Sequence, residues 1–405
     1  MALARRLQFR IWHLRVRIRT MRWSGDLDVN QTYWVNPAKI EYACVFDKLE
    51  EYNKYRHKGK VIGGNWDQRR IKFADRIGLL RGLEDRFIRG MRWEETEFYQ
   101  RILNVISNGT ALWDCKSKAE LDKRCRYLDS LFQDIKTNGY RSQQEIAQEE
   151  NNPYKGEDEI TVRIARDGAL LFEDGQHRLA MAKLLHIDRI PIKITARHSE
   201  WFQFRKEVID YARTQPWGKL YHPVTHPDLC DIPSLYGDER FELIKAHLPI
   251  QSGDLLDIGA NWGYFCHKFE EEGFNCYAVE SNARNRYFLE KLKIAENKKF
   301  KIIYKSIFNY RDKTDFDVVL ALNIFHHFIK TEETYYKLID LLKQLDMRVM
   351  FFQTELSDSL QMKGAYRNFD CGDFVDFILE NSKLNESTYI GETKDGRPIY
   401  RLQAV

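Results

Sequence analysis

The sequence predicts an α/β chain of two units. Residues 239–405 read as an open, mostly parallel sheet flanked by helices, and residues 29–214 as an α+β unit with a helical insertion over 70–150. Three observations predict this. Short apolar runs at 254–258, 275–279, 301–304, 317–322 and 348–353 alternate with helical patterns, the signature of a parallel α/β sheet. The length of 405 residues exceeds one ordinary core. Between the halves, 215–238 is proline-rich, has two His-Pro steps at His222 and His226, and shows little periodicity, so it reads as a linker or a lining loop.

Composition supports packed cores, with 43% apolar and 13% aromatic residues. Net charge is +4, but it is unevenly spread: residues 1–25 hold seven Arg and no acid. Within 1–28, Leu7, Ile11, Leu14, Ile18 and Met21 recur at helical spacing, with Arg6, Arg10 and Arg17 beside them and Trp12 and Trp23 as interfacial rings. That pattern suits a basic amphipathic helix lying on an anionic membrane surface through residues 1–23. An arm packed on the protein, or one that binds nucleic acid, shares the pattern. The segment is arginine-rich like a mitochondrial transit peptide but has little Ser.

The seven Cys form no C-x-x-C and are odd in number, which argues against a disulfide framework and a thiolate zinc site. A reducing compartment follows. No apolar run reaches transmembrane length and no secretory signal is evident. The expected location is the cytoplasm, peripheral at the inner face of the membrane.

In the N-terminal half, 32–44 reads as a strand with a turn at Asn36-Pro37, and 59–67 as a short strand ending at Gly63-Gly64. From 70 to 150 the pattern is helical, clearest in "WEETEFYQRILNVISNG", which Gly109 would stop. Then come a loop (151–159), a strand, the Asp167-Gly168 turn, a second short strand and "FEDGQHRLAMA" at 172–182. There Asp174-Gly175 turns straight into His177 and Arg178 at the mouth of a helix. A last strand covers 190–196. Two cations at a helix N-terminus suit an anion, because the end amides and the dipole both favour negative charge.

In the C-terminal half, "ERFELIKAHLP" opens with a helix. "LLDIGANWGYF" (255–265) then runs a strand into a glycine turn and a helix. Gly259 and Gly263 permit close backbone approach to a ligand, and Asp257 can hold an amino group or order the turn. Glu280 ends the next strand, where a carboxylate suits a ribose diol. Strand four ends in "LNIFHHF", with Asn323, His326 and His327. "DGRPIY" near the C-terminus reads as a hairpin.

These residues resemble the class I S-adenosylmethionine-dependent methyltransferases over roughly 235–405. The resemblance rests on D-I-G-A-N-W-G at 257–263, Glu280, and "VVLALNIFHHF" at 318–328. It implies a Rossmann-like seven-stranded sheet with a reversed last strand. It also implies S-adenosylmethionine held by Asp257, Gly259, Asn261, Gly263, Glu280 and Asn323. The turn lacks the G-x-G-x-x-G of dinucleotide sites. Asn323-Ile324-Phe325-His326 stands where adenine-type nucleic-acid methyltransferases carry Asn/Asp-Pro-Pro-aromatic. His326 and His327 lie where the methyl acceptor approaches, and one is a candidate general base. Ser306 stands near the position of the family's adenine-side Asp, so adenine recognition would run through backbone.

"DGALLFEDGQHRLAMAKLLHIDRIPIKI" resembles the core of the ParB/sulfiredoxin-like superfamily, with 32–44 as its first strand. The resemblance implies a nucleotide phosphate at His177 and Arg178 and a metal-holding or proton-accepting role for Asp174, with ATP, ADP or CTP and Mg as cofactors. Sulfiredoxin chemistry needs a Cys that "EDGQHR" lacks. Asp67, after Gly63-Gly64, and Glu95 are candidate bases for a kinase; isolated acids are more often merely solvated.

The expected function is a bifunctional enzyme. An O-methyltransferase would act on a membrane-associated, lipid-linked glycan or its phosphate, after an N-terminal unit that binds a nucleotide and is a candidate kinase. This echoes bacterial O-antigen kinase-methyltransferases in logic, by analogy alone. The alternatives are a nucleic-acid methyltransferase with a ParB-like DNA/RNA-binding module, and a methyltransferase with a degenerate regulatory domain.

Overall fold

The structure, a computed structural model, describes residues 31–45, 58–76, 78–149 and 159–404. The basic arm lies outside them. The chain divides into two compact units, one ending at Glu207 and one beginning at Val208.

The first unit is built on a sheet of β1 (Thr32–Val35), β2 (Tyr42–Cys44), β3 (Lys60–Ile62), β4 (Arg70–Lys72), β5 (Ile160–Ile164), β6 (Leu170–Asp174) and β7 (Ile190–His198). Their order is β1-β7-β5-β6-β2-β4, with β3 also on β7. β7 is buried along its whole length, and its β-branched residues Ile190, Ile192 and Ile194 suit a covered strand. β5 and β6 form an antiparallel hairpin through the Asp167-Gly168 turn.

Helices α1 (Leu79–Phe87), α2 (Glu97–Ser107), α3 (Lys118–Asn138) and α4 (Gln143–Glu149) follow β4. Thr96 caps α2 by accepting the Tyr99 N–H at 3.2 Å, and Ser117 caps α3. α2 stops at Ser107, and Gly109 follows with φ +81°. One expectation is corrected here. Residues 70–72 are a strand, not the start of the helical stretch: Ile71 pairs with Ala43 on β2, and this cross-strand partner, remote in sequence, sets the local structure.

α5 (Gln176–Leu184) begins at Gly175, whose φ is +91°. A Cβ there would lie 2.9 Å from the Cα of Ile160, so the turn into this helix requires glycine. α6 (Ser199–Thr214) follows β7.

The second unit alternates as the sequence predicts. Its elements are α7 (Glu239–Ala246), β8 (Gly253–Ile258), α8 (Tyr264–Glu271), β9 (Phe274–Val279), α9 (Ala283–Ala295), β10 (Lys301–Ile303), β11 (Asp315–Leu322), α10 (Phe325–Phe328), α11 (Glu332–Gln344), β12 (Asp346–Gln353), α12 (Cys371–Asn381), β13 (Glu386–Glu392) and β14 (Pro398–Gln403). The sheet order is β10-β9-β8-β11-β12-β14-β13. Its pairs are parallel from β10 to β12, and β14 runs antiparallel to both β12 and β13.

Two apolar layers cover this sheet. Leu256, Val319, Met350 and Phe352 face one layer, while Leu255, Val318, Val349 and Phe351 face the other. Adjacent residues divide between the layers because successive strand side chains point to opposite faces. The chain winds outward from β8 to β10, then returns to place β11 on the other side of β8. Strand order therefore reverses between β8 and β11, and a crevice opens at their C-terminal ends. Among the described residues no helix is long and apolar enough to cross a membrane.

Candidate active site

The crevice is a cavity of about 620 Å³, within the usual range for a small-molecule site. Its floor is the turn from β8 to α8. Gly259 and Ala260 donate their N–H groups to the carbonyl of Val279 at 3.0 and 2.9 Å, pinning the turn to the end of β9. Gly259 (φ +81°) and Gly263 (φ +79°) both take left-handed backbone. Added Cβ atoms would meet Ile324 at 2.9 Å and Leu289 at 2.4 Å. Asn261 is left-handed too, at φ +53°, a conformation Asn tolerates better than most residues.

Glu280 stands one residue beyond β9. Oε2 accepts the Asn261 N–H at 3.0 Å and Oε1 the Asn282 N–H at 2.7 Å. Burial raises its pKa, opposed by those N–H groups. Each oxygen keeps a lone pair, so the carboxylate can still accept from a diol in the cavity. Asp257 lines the same floor and is 3% exposed. Burial pushes its pKa up to about 7, against the weak pull of the Cys266 thiol 3.8 Å away.

The far wall starts where β11 ends. Asn323 is left-handed (φ +56°), which turns the chain sharply into α10. Its Nδ2 donates to the Tyr221 hydroxyl at 2.9 Å, while its buried Oδ1 has no partner. His326 is 3% exposed, yet neither ring nitrogen has a partner. Burial lowers its pKa to about 3, helped by His327, Lys330 and Arg397, so it is a neutral imidazole. His327 packs on it with ring centroids 4.0 Å apart and is itself lowered by burial. Ser306 heads the short helical turn Ile307–Asn309, and both Ser306 and Ile307 line the cavity.

The segment 215–238, which the sequence offers as a linker or a lining loop, lines the cavity, although none of its residues stood out as part of the site. Leu220, Leu229 and Ile232 are buried, so the segment packs into the second unit, and Trp217, Tyr221, His222 and Leu235 line the cavity. Arg397 joins them, paired to Glu355 at 3.0 Å. His222 was legible only as half of a His-Pro step. Its partner Arg240 sits 18 residues on, in the helix that opens the second unit.

The N-terminal candidates are placed differently. Asp174 ends β6, and its Oδ1 accepts the Gly175 N–H at 2.8 Å. His177 is half-buried beside Trp113, ring centroids 5.3 Å apart, and desolvation lowers its pKa to about 4. Arg178 lies 4.4 Å over the Tyr140 ring, donates to the Tyr140 hydroxyl at 3.1 Å and also bonds the Arg141 carbonyl. Its guanidinium is thus occupied by the chain between α3 and α4. Asp67 is fully buried, not solvated. Arg166 grips it through the backbone N–H at 2.8 Å and the guanidinium at 2.8–3.1 Å. Burial raises the Asp67 pKa, but the Arg166 hydrogen bonds outweigh it and hold the carboxyl low. Glu95 is a surface capping residue, bonded to the Arg92 N–H and guanidinium at 2.6–2.9 Å.

The second unit fits S-adenosylmethionine on its own geometry. Gly259 and Gly263 hold the turn in left-handed backbone that favours glycine, Gly259 lines the floor, Glu280 offers acceptor lone pairs for a ribose, and Asp257 faces the same floor.

Comparison with known proteins bears on this unit. Residues 235–389 match the family model described as a methyltransferase domain. No curated protein matches the chain. Among solved structures, the chain is similar to monomeric WbdD (16% identity, 48% of each chain, TM-score 0.38). It is also similar to a structure titled as the bifunctional kinase-methyltransferase WbdD (15% identity, 49% of this chain, 46% of that chain, TM-score 0.37). A third is the N-methyltransferase NodS from Bradyrhizobium japonicum WM9 (14% identity, 41% of this chain, 94% of that chain, TM-score 0.34). The matched part spans about half the length of the WbdD chains. The family match falls on the sheet, turn and cavity described above, so residues 235–389 carry a methyltransferase domain.

Proposed function

We propose that the second unit transfers methyl to an oxygen, with His326 as the group that receives the acceptor hydroxyl. The carrying observation is His326 itself: a neutral imidazole that lines the cavity with both ring nitrogens unpartnered. When bound, S-adenosylmethionine supplies an electrophilic methyl on a positively charged sulfur. An amine needs no base to attack it, whereas a hydroxyl must shed its proton. His326 would align the oxygen by accepting its hydrogen bond and take that proton as the O–C bond forms and the methyl–sulfur bond breaks, its electron pair staying on sulfur. Glu280 and the glycine turn hold the nucleoside end in place, so the reacting groups meet without a search.

We further propose that the acceptor is a glycan hydroxyl or sugar phosphate. The exposed Trp217 and half-buried Tyr221 on the cavity wall supply faces on which a sugar ring packs. For the first unit we propose a ParB-like domain binding a nucleoside phosphate at the Gly175 end of α5. Its support is the order strand, Asp-Gly turn, strand, glycine, helix, strand. A second reading, an accessory domain without catalysis, is favoured by the engagement of Arg178 with Tyr140 and Arg141.

Labelled S-adenosylmethionine, a membrane glycolipid extract and the full chain test both, with and without ATP, ADP or CTP. Methyl incorporation that needs nucleotide supports two steps in sequence. Incorporation indifferent to nucleotide supports the accessory reading. Incorporation only into nitrogen of an amine acceptor overturns the oxygen assignment.

A further inference from the structure

Arg240, on α7, is 2% exposed, and among the described residues its hydrogen-bond partners are neutral. It donates to Gln353 Oε1 at 3.0 Å and to His222 Nε2, and its Nε has no partner. The faces of Tyr236 and Tyr221 lie 4.0 and 5.5 Å from the guanidinium carbon. Arginine stays charged when buried. The rings offset part of the cost of burying that charge, and an anion would offset the rest.

The bond to His222 settles a tautomer. A guanidinium has no acceptor, so His222 accepts at Nε2, and the proton of the neutral ring sits on Nδ1. Stacking on Tyr264, with centroids 4.9 Å apart and an 11° tilt, fixes the ring plane. His222 lines the main cavity with Tyr221, Asp257 and Gly259. The wall therefore includes a ring that carries an N–H donor and has a buried cation bonded to its other nitrogen. Asp257 is near enough for Arg240 to act on its charge. An acid and a cation-backed donor side by side match the ammonium and carboxylate of one amino acid.

We propose that His222, positioned by Arg240, receives the carboxylate of the cofactor's methionine end. This rests on the S-adenosylmethionine reading above. The test is calorimetric binding of S-adenosylhomocysteine and of 5′-methylthioadenosine, which keeps the adenosine and thioether but lacks the amino-acid end. His222→Phe keeps the stacked ring and loses the donor. It is expected to weaken S-adenosylhomocysteine about tenfold or more, while 5′-methylthioadenosine stays within about twofold. Arg240→Met, which removes the charge, is expected to show the same selectivity; if it does not fold, His222→Phe carries the test alone. Equal weakening of both ligands by His222→Phe, or of neither, overturns the assignment. Wild-type protein that binds neither ligand overturns the cofactor reading, and this assignment with it.

Discussion

Glu280 at the end of β9 and Asn261 in the β8–α8 turn are joined by a 3.0 Å hydrogen bond from the Asn261 backbone N–H. The acid that faces the cavity also holds the shape of the turn beneath it. Removing it releases two backbone N–H groups as well as a ligand contact. Glu280→Ala is therefore expected to cost about 1–3 kcal/mol of cofactor binding, roughly 5- to 150-fold in Kd. Titration of S-adenosylhomocysteine into the variant checks this; an unchanged Kd would remove Glu280 from the site.

Asp257 makes binding pH-dependent. Its folded pKa, about 7, exceeds the ordinary carboxyl value of 3.8 because burial disfavours the charge. The folded state therefore holds the proton more tightly, and this group's contribution to stability falls as pH rises from 3.8 to about 7. Above that range the contribution is level. The cofactor's ammonium prefers the carboxylate, so affinity should strengthen as pH rises through about 7. Kd values from pH 6 to pH 8 measure the effect, and Asp257→Asn should abolish the slope.

His326 should separate binding from chemistry. His326→Ala is expected to lower methyl transfer about 100-fold, the lower range for a lost general base, with S-adenosylhomocysteine affinity within about twofold. Because its pKa lies near 3, its ionisation should leave no mark on the rate profile between pH 5 and 9. An inflection near neutrality that vanishes in His326→Ala would contradict the burial argument.

Asp67 should behave as structure. Its buried carboxylate is gripped by Arg166, whose side chain is 25% exposed. Removing one partner of a fully buried pair costs about 3–5 kcal/mol, and the partial exposure of Arg166 brings the expectation for Asp67→Ala to about 2 kcal/mol. Its carboxyl is held below the usual range. The stabilisation is therefore present above that range and lost as pH falls through it. Urea unfolding at pH 7 and pH 3 checks both points. A variant as stable as wild type would reopen a catalytic role.

The sheet of the second unit was legible because each strand is a short apolar run bounded by turn residues. The expected runs at 254–258 and 275–279 fall within one residue of β8 and β9. The site was legible where its chemistry is local: the glycines, Asp257, Glu280 and the His326–His327 pair lie at strand ends that the alternation fixes. The wall of Tyr221, His222 and Arg240 was not. Its segment has no periodicity, and its contacts to Gln353 and Asn323 span 113 and 102 residues. β4 was hidden for the same reason, since its partner strand is remote. Asp67 looked like an isolated acid because Arg166 lies 99 residues away.

Calorimetric titration of S-adenosylhomocysteine into the full chain tests whether the β8–β11 crevice holds the cofactor. The expected result is saturable binding at one site per chain, weakened by Glu280→Ala and by Gly259→Val but not by Asp174→Ala. Absence of binding in the wild type, or binding that survives both crevice substitutions, would contradict it.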